Sequence, residues 1–68
     1  MKNREEMQQL ANELDLLQKE YGGVQHILYI IKWLRQGNWE SAKMTYRSER
    51  DKNFGYPKLD KRLKEFFE

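Results

Sequence analysis

Two glycine-bearing breaks, Gly22-Gly23 and Gly37-Asn38, constrain this chain more than any other feature. They divide helix-patterned sequence into short pieces. Glycine accepts the left-handed backbone that ends a helix, and asparagine accepts hydrogen bonds from the first N–H groups of the next helix. Gly37-Asn38 can serve as the C-cap of one helix and the N-cap of the next, and only a tight αα-hairpin, over about residues 24–50, fits so short a link.

The spacing of apolar residues predicts what lies between the breaks. Met7, Leu10, Leu14, Leu17 and Tyr21 recur every three or four positions, with Ala11 beside them. This is one face of a helix over about 4–21, capped by Asn3 with Glu6 three residues on. Asp15 and Lys19 form an i,i+4 pair outside it. Over about 24–36, Val24, Ile27, Leu28, Ile31 and Leu34 make a stripe, and Tyr29, Ile30 and Trp33 occupy much of the remainder. A helix apolar on nearly all sides is usually the central one of a bundle. The run Ile27–Ile31 would also suit a buried strand, but no second strand is available to pair with it.

A third helix, about 39–50, would turn Trp39, Ala42 and Tyr46 inward, with the small Ala42 allowing close approach to the second helix. The stretch Gly37-Asn38-Trp39-Glu40-Ser41-Ala42-Lys43-Met44-Thr45-Tyr46 resembles the turn of a tetratricopeptide-type hairpin. The resemblance covers about ten residues, occurs once, and has Ile30 where that family places a small residue. It implies shared hairpin geometry rather than membership. Residues 51–56 read as an ordered loop whose Phe54 and Tyr56 pack back onto the bundle. Pro57 opens a last helix, about 57–67, with Leu59, Leu63, Phe66 and Phe67 on one face and Asp60 paired to Lys64 outside. The expected fold is all-α: one small domain over 1–68, a bundle of three main helices plus a short C-terminal helix.

Composition narrows the function. With 68 residues and no cysteine, the chain cannot hold a disulfide scaffold, a thiolate zinc site or a cysteine nucleophile. The longest unbroken apolar run is five residues, against about 18 for a membrane span. The start, Met1-Lys2-Asn3-Arg4-Glu5-Glu6, has no apolar stretch to act as a signal peptide, so a cytoplasmic protein is expected. Lys, Glu, Asn, Gln, Tyr and Ile are plentiful and Pro and Ala scarce, which would suit a small accessory protein of a bacterium or its mobile elements.

No constellation points to catalysis. His26 has Gly22, Gly23 and Ile30 one turn away, so its own helix supplies no acid–base or ligand partner. An enzyme would need a pocket bringing His26 beside a carboxylate from another helix. Glu5/Glu6 and Glu13/Asp15 are spaced too closely along a helix to converge on a metal ion. Ser41 and Ser48 have no nearby base, and no glycine-rich phosphate loop is present. No cofactor, metal or small-molecule substrate is expected.

Binding remains. So short a chain must hide nearly every apolar side chain, inside itself or against another molecule. The expected function is therefore protein–protein interaction, as a homodimer or as a small adaptor or inhibitor of a larger protein. Its contact strip would be Met7, Leu10, Leu14, Leu16, Leu17 and Tyr21, with Leu16 off the main helical line and otherwise exposed. The alternative is nucleic-acid binding through the basic C-terminal third. There Lys43, Arg47, Arg50, Lys52, Lys58, Lys61 and Arg62 would hold phosphates, with Tyr46, Phe54 and Tyr56 between them to stack bases.

Overall fold

The computed structural model describes residues 3–50 and 55–68, apart from the side chain of Arg50. Four helices follow one another: α1 (Arg4–Glu20), α2 (Gln25–Arg35), α3 (Trp39–Arg50) and α4 (Pro57–Phe67). Among the described residues there is no strand. The architecture is a small all-α bundle with α2–α3 as its helical hairpin.

Local hydrogen bonds set the helix ends. Asn3 Oδ1 accepts from the Glu6 N–H at 2.8 Å, satisfying one of the donors left over at the start of α1. Glu5 and Glu6 in the first turn and Lys19 in the last match the helix dipole. The other end of α1 closes with a Schellman motif: Gly22 N–H donates to Lys19 O and Gly23 N–H to Gln18 O. α2 ends in the same way, with Gly37 N–H on Leu34 O and Asn38 N–H on Trp33 O. Both motifs need a left-handed residue, supplied by Gly22 at φ 81° and Gly37 at φ 72°. Asn38 then serves a second purpose, its Oδ1 accepting from Ser41 N–H at 3.1 Å to cap α3.

The core is built from all four helices. α1 contributes Met7, Leu10, Ala11 and Leu14, and α2 contributes Ile27, Ile30, Ile31 and Leu34. Ala42 is fully buried, as close approach of α3 to α2 requires. Val24, Ile27, Ile31 and Leu34 are buried as the expected stripe has them, but Ile30 is buried in place of Leu28, which is exposed. Because α2 is apolar on most sides, its own pattern leaves its rotation open, and packing against α1 and α3 chooses it.

α4 lies on α1 and α3 and buries Leu59, Leu63, Phe66 and Phe67. Trp39 and Tyr46 grip it, stacking on Phe67 at ring-centre distances of 5.1 and 5.0 Å, and the Tyr46 hydroxyl donates to the Glu68 carboxylate. Tyr56 packs edge-on against Tyr21 at 4.9 Å, while Phe54 lies outside the described residues. Asp60 does not pair outward with Lys64. Its Oδ1 is buried without a hydrogen-bond partner, and the carboxyl lies within electrostatic range of His26.

Candidate protein-interaction surface

Met7, Leu10 and Leu14 are intramolecular core, and Leu17 and Tyr21 are half-buried at its margin. Of the six residues of the expected strip, Leu16 alone faces solvent, at 67% exposure. The strip is therefore not a free surface. A bundle this small draws its core from every apolar stripe it has, and the α1 stripe is the one α2 and α4 pack on. Leu16 stands on the opposite side of the helix.

Gln18, a residue the sequence reasoning passed over, is 4% exposed. Its Oε1 accepts from the Val24 N–H and its Nε2 donates to Asp15 Oδ1, both at 3.2 Å. It thus ties the last turn of α1 to the residue that opens α2. Its signal was available: positions 7, 11, 14 and 18 form a helical seam as regular as the one through Leu10 and Leu17. Gln8 links the far ends of the same helices, its Nε2 donating to Leu34 O at 3.0 Å and Arg35 O at 3.1 Å.

The basic residues are dispersed. Lys58 pairs with Glu20 at 3.3 Å, and Arg62 grips Glu13 with Nε 2.5 Å from Oε2. The Arg62 hydrogen bond holds the Glu13 carboxyl below its ordinary value. Lys43 lies over the Trp39 ring at 5.9 Å, and Arg47 and Lys61 extend into solvent. Tyr46 is buried and Tyr56 half-buried against Tyr21, so neither offers an open face for base stacking. The Arg50 side chain and Lys52 lie outside the described residues.

The fold does bring a carboxylate toward His26, from another helix. Asp60 of α4 lies within electrostatic range of it, and the Tyr56 ring is 6.4 Å from the imidazole. Burial raises the Asp60 carboxyl above its ordinary value, an effect that the Tyr56 backbone and the His26 charge oppose. The buried Oδ1 faces protein rather than solvent, so this oxygen is closed to an incoming substrate. Among the described residues no cluster of three or more His, Asp or Glu side chains could hold a metal ion, and no helix is long and apolar enough to cross a membrane.

Among the described residues, the outer side of α2 is set apart by neighbouring exposed apolar side chains. Leu28 and Tyr29 stand adjacent there at 42% and 50% exposure, with Gln25, Lys32 and Gln36 exposed around them. α2 contains no acidic residue. Arg35 is turned toward α1, where its Nη1 donates to Asn12 Oδ1 at 3.1 Å. Among the described residues, the other large exposed apolar side chains, Leu16 and Met44, stand on different helices. No protein-family model matches the chain, and no curated protein or solved structure matches it.

Proposed function

We propose that this chain is a non-enzymatic protein-interaction module whose contact face is the outer side of α2. What carries this is a mismatch between pattern and packing. α2 has the apolar content of a helix covered on all sides, yet α1 and α3 leave the Leu28–Tyr29 side open. Single exposed apolar residues are ordinary, but here two adjacent ones lie on a rigid helix, beside a lysine and two glutamines and no acid. Tyrosine and leucine flanked by such groups give the apolar centre and polar rim of a small interface. The role would be that of a self-associating protein or of a small adaptor or inhibitor of a larger protein, acting in the cytoplasm.

Site-specific photocrosslinking tests this. A photoreactive residue at position 29 should join the chain to protein in the producing cell, and one at the exposed position Glu40 should not. Equal crosslinking from both positions, or none from 29, would refute α2 as the contact face.

A further inference from the structure

Independently of the α2 face, we propose that α4 is an acid-sensitive latch, which opens from the bundle more readily as pH falls while α1, α2 and α3 stay packed. Its ties differ in kind from theirs. Among the described residues, α4 is joined to its neighbours through carboxylates. Arg62 grips Glu13 of α1, with Nε 2.5 Å from Oε2 and Nη2 3.3 Å from Oε1. Lys58 Nζ lies 3.3 Å from Glu20 of α1, and the Tyr46 hydroxyl of α3 donates to Glu68 at the end of α4. The bonds between α1 and α2 end on amide oxygens instead. Val24 N–H donates to Gln18 Oε1, Gln8 Nε2 to the Leu34 and Arg35 carbonyls, and Arg35 Nη1 to Asn12 Oδ1. The corner between α2 and α3 closes through the Asn38 amide side chain and backbone carbonyls. A carboxylate gives up its charge, and with it an ion pair, as pH falls through its range, whereas an amide oxygen accepts unchanged. Acid therefore acts on one set of joints and spares the other.

The remaining groups around α4 set the course of the opening. Arg62 holds the Glu13 carboxyl below its ordinary value, so this tie is among the last to yield. Glu65, on α4 itself, lies close enough to act on Arg62. His26 of α2 lies within electrostatic range of Asp60, whose carboxyl burial pushes up. Neutralising Asp60 favours docking, so it opposes the three ties that acid loosens. Lys43 of α3, over the Trp39 ring, and Tyr21 of α1, against Tyr56, are of types that titrate only above neutrality. Leu59, Leu63, Phe66 and Phe67 keep α4 docked at neutral pH, so acid changes the population of a minority open form. An 11-residue helix with no side-chain cap at its start is marginal by itself, so an undocked α4 loses its helical bonds. Opening uncovers that apolar stripe and the Trp39 and Tyr46 rings stacked on Phe67, so pH governs how much apolar surface the chain shows.

Native-state hydrogen exchange of the whole chain at pH 7 and pH 3, corrected for the pH dependence of exchange itself, tests the latch. An exposed ion pair shifts an equilibrium by up to about fivefold, so two pairs and the Tyr46 bond should lower the protection of the Leu63 and Phe66 amides about tenfold more than that of Ile30 and Leu34. The variant Glu13→Gln/Glu20→Gln/Glu68→Gln changes three exposed carboxylates to amides of the same shape. Its α4 protection should already be lowered at pH 7 and should hold or rise at pH 3, where Asp60 alone is left to respond. In the parent at pH 7, 1 M salt should lower the protection of α4 several-fold and leave α2 unchanged. Protection that falls in step in α2 and α4 on acidification means that the bundle unfolds as one unit, and it overturns the latch. Parent α4 protection that holds at pH 3 overturns it too. A triple variant that responds to acid as the parent does, or α4 protection indifferent to salt, overturns the carboxylate ties as its cause.

Discussion

Replacing Gln18 by methionine keeps the volume of the side chain and removes both of its hydrogen bonds. The Val24 N–H, buried and bonded at 3.2 Å to Gln18 Oε1, loses its acceptor. Leaving a buried donor unpaired costs about 1–3 kcal/mol, whereas the bond from Gln18 to the more exposed Asp15 adds little. Gly23 approaches the same oxygen, 3.8 Å from where its Cβ would lie, so the turn has little freedom to find a substitute. The expected loss is about 2 kcal/mol, or a melting temperature roughly 8–16 °C lower in a domain of this size. Thermal and urea unfolding followed at 222 nm measure it, with Gln25→Met at an exposed site as the control, expected within about 0.5 kcal/mol of the parent. If Gln18→Met unfolds within that same margin, the Val24 N–H is satisfied without Gln18 and the role assigned to this side chain is wrong.

Leu14→Glu places a charge at a fully buried position and should abolish the folded state, whereas Leu16→Glu should change stability by less than about 0.5 kcal/mol; circular dichroism of both decides whether the α1 strip is core. Glu13→Gln removes the carboxylate gripped by Arg62 and should cost no more than about 1 kcal/mol, an effect that shrinks in high salt. Because the folded Glu13 value is depressed, that contribution is present above the ordinary glutamate range and is lost as pH falls through the depressed value, so the gap between parent and variant should be full at pH 7 and shrink progressively on acidification. Asp60 has the opposite sign: its folded value is raised, so its charge weakens the fold at neutral pH and the penalty is relieved on acidification. Asp60→Asn should therefore leave stability at pH 7 unchanged or higher and flatten its rise on acidification; a clear loss at pH 7 would mean that His26 attraction outweighs burial.

The elements that could be read from sequence are those decided by neighbours in the chain. Asn3, Gly22, Gly37, Asn38 and Pro57 act on backbone groups within a few residues of themselves, and the observed helix ends lie beside them. The rotation of α2 was not legible, since Ile27, Leu28, Ile30 and Ile31 are all apolar and only the positions of α1 and α3 decide that Leu28 faces out. The inward turn of Asp60 was hidden for the same reason: an i,i+4 lysine is visible in sequence, while His26 is 34 positions away. Trp39 and Tyr46 face inward as their spacing predicts, but their stacking on Phe67 of α4 joins residues more than 20 positions apart and has no sign in the local pattern. The α1 strip is not a free face because Met7, Leu10 and Leu14 are taken up by the core, and the apolar spacing that makes it look like an interface is equally the spacing of a buried stripe, with Leu16 alone left outside.

Asn38 closes one helix and opens the next through two bonds of its own, leaving no slack residue at that corner. Gln8 braces the same end of α2 from α1. The outward surface of α2 is thus preorganised: its backbone is ordered when the chain folds, so a visiting molecule need only restrain a few side chains. If α2 is the contact face, affinity there would depend on the free-energy cost of ordering Tyr29 and Lys32, and mutations that loosen the corner would weaken binding without touching the surface itself.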